Sequence, residues 1–255
     1  MRIALVGYGR MGKAIEQAAL AKGHEVVARI DLHNTAELDA AMAAQADVAI
    51  EFTGPDSAFG NVCRCLELGL PVVTGSTGWL DRYKEAVALC QARGGALLQA
   101  SNFSIGVNIL FEINRRLARL MATHTGYDVH ISEVHHTGKK DAPSGTAISL
   151  AEQVIRELPG KETWVGHETG DPADLVITSE RTDPCPGLHR VTYRSAIDEI
   201  EISHNALSRD GFAAGAVLAA EYLHTRKGVH SMKDVLGIGE EANLPGPAGD
   251  RQPTA

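Results

Sequence analysis

Short apolar runs alternate with amphipathic stretches over the first hundred residues. "RIALV" (residues 2–6) breaks into "GYGRMG", and "KAIEQAALAKG" follows with helical spacing and a stop at Gly23. Then come "HEVVARID", a helix-compatible "TAELDAAMAAQ", and "DVAIEFT". The alternation continues through "PDSAFGNVCRCLELG", "LPVVTGSTG", "WLDRYKEAVALCQARGG" and "ALLQASNF". Apolar strands separated by amphipathic helices predict a parallel sheet wrapped by helices on both faces.

Near residue 104 the rhythm changes. "VNILFEINRRLARLMATH" predicts a long helix, "YDVHISEVHH" alternates as a strand, and "GTAISLAEQVIREL" predicts a helix. Three strand patterns, "DLVITSERT", "HRVTYRSA" and "DEIEISHNA", follow without strong helices between them. That predicts a second, α+β domain with a mixed open sheet. "GFAAGAVLAAEYLHTR" is a further helix, and residues 239–255, rich in Pro, Gly and Ala, read as a flexible tail. The fold class is α/β: a Rossmann-type dinucleotide-binding domain over 1–103, then a substrate domain over 104–210.

Composition narrows the picture. A hydrophobic content of 44% over 255 residues supplies a real core. No apolar run approaches the ~20 residues of a membrane helix, and the N-terminus reaches glycines too soon for a signal peptide. A cytoplasmic protein is expected. The net charge of −8 disfavours nucleic acid and anionic membranes as partners. An anionic substrate then needs a local positive site. Cys63, Cys65, Cys90 and Cys185 form no C-x-x-C pair and read as reduced thiols.

"GYGRMG" is Gly7-x-Gly9-x-x-Gly12, placed between a predicted strand and a predicted helix, the context a dinucleotide site requires. Gly7 permits the tight turn, Gly9 lets the backbone approach a pyrophosphate, and Gly12 lets helix and strand pack closely. The helix start offers free N–H groups to the phosphates. Asp31 closes the next strand, 19 residues after Gly12. An acid there accepts hydrogen bonds from the ribose hydroxyls of NAD(H) and repels a 2′-phosphate. Arg10, Arg29 and His33 stand close enough to soften that preference. Thr74–Gly78 and Ser101–Phe103 lie where strands end, as ordinary turns or as contacts to the nicotinamide half.

The densest chemistry is "EVHHTGKKDAPSGTA", residues 133–147. On a strand Glu133 and His135 share a face, and His136 faces away or begins the loop. Lys139 and Lys140 follow Gly138. Asp141 or Ser144 caps the next helix, leaving the N–H groups of Gly145 and Thr146 to dock a carboxylate. Lys139 and His136 are placed to hold a second carboxylate, and His135 to donate a proton. A metal is not expected, because no Cys or third His is near in sequence and Glu133 would have to complete the set.

That stretch closely resembles the signature of the 4-hydroxy-tetrahydrodipicolinate reductase (dihydrodipicolinate reductase) family of lysine and diaminopimelate biosynthesis. "GYGRMG", "EFTGP", "GSTGW" and "SNFSIGVN" resemble its other landmarks in the right order, over residues 1 to about 238. The resemblance implies reduction of a cyclic unsaturated dicarboxylate by NADH or NADPH. It implies a homotetramer formed through the substrate-domain sheets, with residues 211–238 returning to the dinucleotide domain. By matching position, His135 takes the acid/base role and Lys139 that of proton donor. His136, Ser144, Gly145 and Thr146 match substrate-binding positions. Gly7, Tyr8, Gly9, Arg10, Met11, Gly12, Asp31, Gly75, Ser76, Thr77, Ala100, Ser101, Asn102 and Phe103 match cofactor-binding positions. The glycine loop is one residue shorter than in many members. Leu-His follows Asp31 in place of the basic residue of members that favour NADPH, which tilts the choice towards NADH. Two other readings remain open from sequence: a two-domain dehydrogenase of another small acid, and a non-catalytic NAD(H)-sensing protein.

Overall fold

Five strands of the first hundred residues form where apolar runs were expected. They are β1 (Arg2–Val6), β2 (Glu25–Ile30), β3 (Val48–Glu51), β4 (Val72–Thr74) and β5 (Ala96–Gln99), all parallel. The computed structural model describes residues 1–208 and 210–238, so the tail expected over 239–255 lies outside the described residues. Between the strands run α1 (Arg10–Ala21), α2 (Ala40–Ala43), α3 (Pro55–Glu67) and α4 (Tyr83–Arg93). Strands β3 and β4 are buried throughout, which is why their sequences run apolar rather than alternating up to the closing Glu51 and Thr74.

The helix expected over residues 35–45 is shorter. A 3-10 turn (Thr35–Glu37) gives way to the four-residue α2. The Asp39 side chain accepts from the Met42 N–H at 2.9 Å and starts a new helix there. A short acceptor side chain offers the backbone a cap that competes with helix continuation.

The second half contains α5 (Ile105–Met121), β6 (Asp128–His135), α6 (Gly145–Glu157), β7 (Thr163–Val165), β8 (Asp174–Arg181), β9 (Gly187–Arg194) and β10 (Glu199–Ala206). They build a five-stranded mixed sheet in the order β10-β9-β6-β8-β7. Helices α5 and α6 close one face over Val129, Ile131, Leu175, Ile177, Val191 and Tyr193. Strand β7 is three residues long, too short to show alternation, and was not expected.

The chain ends with α7 (Asp210–Leu223), β11 (Gly228–His230) and α8 (Met232–Val235). Strand β11 joins the edge of the first sheet beside β5 and gives the order β11-β5-β4-β3-β1-β2. Helix α7 lies in the same core as Ile3, Leu5, Ile50 and Leu98 through Ala213, Ala216, Val217 and Ala220. The opposite face of that sheet is filled by Ala58, Val62, Cys65, Leu66, Trp79 and Cys90. Burial pushes the Cys65 thiol up to about 12, so it packs as an uncharged side chain.

The small residues of α7 allow a very close approach. A Cβ at Gly215 would stand 1.8 Å from the carbonyl oxygen of Phe103. Gly215→Ala is therefore expected to destabilise the protein by about 1–3 kcal/mol, read as a lower urea midpoint. Gly211→Ala meets nothing nearer than 3.9 Å and is expected to leave the midpoint unchanged or raised.

Candidate active site

The glycine turn fits a dinucleotide on its own geometry. Gly7 has φ 100°, and a Cβ there would lie 2.1 Å from the carbonyl oxygen of Phe52. A Cβ at Gly12 would lie 2.2 Å from the carbonyl oxygen of Gly7, so the start of α1 packs directly on the turn. Gly9 is the N-cap of α1, has no side-chain cap, and faces open space. The first turn of α1 therefore points its N–H groups at an uncrowded surface. Beside it is a cavity of about 360 Å³ lined by Gly7, Tyr8, Gly9, Asp31, Thr53 and Asn61, among others. Asp31 is exposed at its rim. Arg29 is already engaged: its Nε donates to Glu16 at 2.8 Å, and Glu16 also accepts from the Tyr8 hydroxyl.

A second cavity, of about 590 Å³, opens between the two sheets. Thr77, Ser101 and Asn102 reach it from the loops after β4 and β5. His135, His136, Lys139, Ser144, Gly145 and Thr146 reach it from β6, its following loop and α6. The Asn102 amide donates to the Thr146 hydroxyl at 3.4 Å across the gap. Ser144, not Asp141, caps α6: its Oγ accepts from the Ala147 N–H at 3.2 Å. Asp141 instead holds the Lys139 ammonium at 2.9 Å with both oxygens. Among the described residues no acceptor meets the N–H of Gly145 or Thr146.

The remaining expected positions stand behind these walls. Gly75 and Phe103 pack on Phe52, Met11 and Ala100 join the apolar core, and Arg10 is exposed. Ser76 is buried and bonds Glu51, a fully buried carboxylate that also accepts from the Thr53 N–H at 2.9 Å and from the Thr74 hydroxyl.

The cavity floor is a polar row across the five-stranded sheet. Glu133 is in register with Ser179 on β8 and with His189 on β9, and His189 is in register with His204 on β10. The rows behind it, such as Ile177, Ile131, Val191 and Ile202, are apolar. Glu133 and His135 do share the inward face, as the alternation required. Glu133 Oε1 accepts from the Ser144 N–H at 3.0 Å, Ser179 Oγ at 2.9 Å and Arg181 at 3.1 Å. Its Oε2 lies 3.4 Å from His135 Nδ1 and 3.6 Å from His189 Nε2.

Sequence reading missed His189, His204 and Arg181. The signal was present: His189 shares its face with Val191 and Tyr193, and His204 shares one with Ile200 and Ile202. Imidazoles continuing an apolar face mark a strand end turned towards a site. What was absent was the register that puts them beside Glu133. The three side chains Glu133, His135 and His189 bring their ligand-type atoms within 4.8 Å of one another. The Arg181 guanidinium lies 3.1 Å from the same carboxylate and offsets its charge.

Burial alone would push the Glu133 carboxyl up. The close His189, the hydrogen bonds from Ser144 and Ser179 and the nearby His135 outweigh burial and hold it well below the usual range. Burial lowers His135 to about 4; Glu133 opposes that fall, and His189, Lys139 and Arg181 add to it. The resting site thus pairs an ionised carboxylate with a neutral imidazole near neutral pH. The Asp141 carboxyl is lowered by the hydrogen bond from Lys139.

A glycine turn at the carboxyl edge of a parallel sheet, with loops of the same edge facing imidazoles, a lysine and an open helix start across a cavity, defines a dinucleotide-dependent oxidoreductase. Within that class the chain belongs to the dihydrodipicolinate reductase family: residues 1–103 match the N-terminal part of dihydrodipicolinate reductase and residues 106–236 its C-terminal part. The 4-hydroxy-tetrahydrodipicolinate reductase of Christiangramia forsetii is 46% identical over 236 residues, covering 92% of this chain and 98% of the relative. That of Neisseria meningitidis serogroup B is 32% identical over 269 residues, covering 93% and 98%. The solved dihydrodipicolinate reductase of Paenisporosarcina sp. TG-14, with dipicolinate bound, shares the fold at a TM-score of 0.73 and 22% identity, covering 91% of this chain and 97% of that one.

Both lowered groups carry the same sign for stability. Folded Glu133 and His135 bind fewer protons in acid than their unfolded counterparts, so stability is complete above about pH 6.5 and falls as pH drops towards 4. Denaturant midpoints are expected to decline over that window. In His135→Gln the decline should start lower, below the ordinary carboxyl value of 4.5.

Proposed function

We propose that the protein reduces 4-hydroxy-tetrahydrodipicolinate to tetrahydrodipicolinate with NAD(P)H, in lysine and diaminopimelate biosynthesis. The observation that carries the reading is the single cavity in which Thr77, Ser101 and Asn102 face His135, Lys139 and the free start of α6. The substrate has two carboxylates. The Gly145 and Thr146 N–H groups and the Thr146 hydroxyl hold one of them at the helix start, where the dipole favours a negative charge. Lys139 and His136 hold the other. Gly7 to Gly12, Asp31, Gly75 to Thr77 and Ala100 to Phe103 serve the dinucleotide, some by contact and Gly12, Ser76 and Phe103 by packing the contacting loops. The dinucleotide, when bound, supplies a hydride. The ring then carries excess electron density that must be quenched by a proton, and Lys139 is placed to deliver it. His135, neutral at rest, accepts and returns protons beside it.

In this reading residues 1–103 and 211–238 form the dinucleotide domain and 104–210 the substrate domain. Asp31 makes NADH at least as good a cofactor as NADPH: it accepts from the ribose hydroxyls and repels a 2′-phosphate, while Glu16 occupies the nearby Arg29. The face of the five-stranded sheet away from α5 and α6 carries Val134, Val176, Leu188 and Thr192 only half-buried, which supports a homotetramer joined there. No helix among the described residues is long and apolar enough to cross a membrane. A cytoplasmic enzyme of a small dicarboxylate, with neither nucleic acid nor membrane as partner, suits the net charge of −8.

The test is loss of NADH absorbance with freshly prepared 4-hydroxy-tetrahydrodipicolinate. Other small acids should give no turnover; a faster reaction with one of them would move the assignment to a different dehydrogenase. Lys139→Ala should lower kcat about 10²–10⁴-fold with an unchanged melting temperature. Retention of more than about a tenth of wild-type turnover would remove Lys139 from the proton-donor role. Asp31→Ser should shift the ratio of kcat/KM values towards NADPH by about tenfold to a hundredfold, ~1.4 kcal/mol being tenfold. An unchanged ratio would mean that Asp31 does not face the ribose.

A further inference from the structure

We propose that Glu133 is the positioning residue of the proton chemistry: its buried carboxylate fixes His135 as the Nδ1–H tautomer and locks β6, the start of α6 and the Lys139 loop into one frame. The inference rests on the reductase reading above. Glu133 is 1% exposed, and its two oxygens have different surroundings. Oε1 is saturated by the Ser144 N–H, Ser179 and Arg181. Oε2 accepts no hydrogen bond among the described residues and stands between His135 Nδ1 at 3.4 Å and His189 Nε2 at 3.6 Å. His135 Nδ1 is buried with no other partner among the described residues.

A lone pair on that nitrogen would face an ionised oxygen and be repelled. A proton on it gives both atoms a partner, and such contacts tighten when a ligand closes the site. The other nitrogen, Nε2, lies on the cavity side beside Gly187, where even a Cβ would come within 3.1 Å. With Nδ1 protonated, Nε2 carries the lone pair. His135 at rest is thus an acceptor, and the proton for the substrate comes from Lys139.

The same carboxylate reaches the rest of the site through its neighbours. Ser144, whose N–H it binds, caps α6 and touches His189 Nε2 at 3.1 Å. Arg181 joins Oε1 to the carbonyl oxygen of Asp141, in the loop that carries Lys139. Among the described residues, the charged and titratable groups that act on the imidazole or line its cavity are Glu133 on β6, Arg181 on β8, His189 on β9, His204 on β10, and His136, Lys139 and Asp141 on the loop. Of these only Glu133 presents a negative oxygen to Nδ1.

Glu133→Gln keeps the shape and one oxygen for Ser144, Ser179 and Arg181. It turns an amide N–H towards His135 Nδ1 and so reverses the tautomer. Two measurements test the proposal on the full-length protein. In the first, ¹⁵N-histidine NMR of the wild type, with the His135 signals identified by their loss in His135→Gln, should show Nδ1 protonated. A wild-type His135 protonated on Nε2 overturns the proposal. In the second, Glu133→Gln should lower kcat about 10²–10⁴-fold, leave KM for NADH within about threefold, and displace the acidic limb of the kcat–pH profile. Turnover within about tenfold of wild type overturns it. So does a fall in kcat that comes with an equal loss of pyridine-2,6-dicarboxylate affinity and an unmoved pH profile, the pattern of a merely structural residue. If Glu133→Gln does not fold, the wild-type NMR result decides alone. Absence of wild-type turnover would count against the reductase reading and leave the tautomer measurement to judge this inference.

Discussion

An ionised carboxylate sealed inside a sheet is the constraint on which the second half of the chain depends. Glu133 is costly to bury, and the cost is met only because a backbone N–H, a hydroxyl and a guanidinium converge on it. Those donors come from a helix start, a neighbouring strand and the strand end that braces the next loop. Each must stay in place for the charge to be tolerated. The demand of one buried charge thereby holds β6, β8, α6 and the loop over residues 136–144 in a single arrangement. Removing one donor would leave a charge underserved in a low-dielectric setting, where the penalty is large.

The first sheet ends in the same kind of device. Glu51 closes β3, fully buried, and gathers the Thr53 N–H with the hydroxyls of Thr53, Thr74 and Ser76. These belong to the ends of β3 and β4, beside the glycine turn. Each sheet therefore terminates its apolar rows in a glutamate that organises the loops at its carboxyl edge. Ligands of open α/β sheets lie beyond that edge. The two edges face one another across the larger cavity, bridged by Asn102 and Thr146.

Helix α7 makes this opposition possible. It leaves the second sheet after β10 and packs into the first through small residues, with Gly215 against the backbone of Phe103. Phe103 immediately precedes the N-cap of α5, the helix that covers the second sheet. One close backbone contact thus ties the connection between the halves to the core of the first.

Much of this was legible in the chain because it is local. Period-2 and period-3.6 patterns, the glycine turn, a helix cap at Asp141 or Ser144 and the shared face of Glu133 and His135 each depend on a few consecutive residues. Short elements such as β7 and β11 were not legible, since three residues cannot display a period, and β11 in addition pairs with β5, far away in sequence. Nor was the choice between Asp141 and Ser144 as cap, which was settled by the reach of Lys139 to Asp141. The engagement of Arg29 by Glu16 and the placing of Ser76 and Phe103 behind the cavity wall were likewise decided in three dimensions. Above all, sequence placed Glu133 and His135 on one face of a single strand, while His189, which it did not single out, lies on a strand more than fifty positions later. Only strand register brought them together, because register is set by the packing of whole apolar rows against α5 and α6, not by the polar residues that then find themselves side by side.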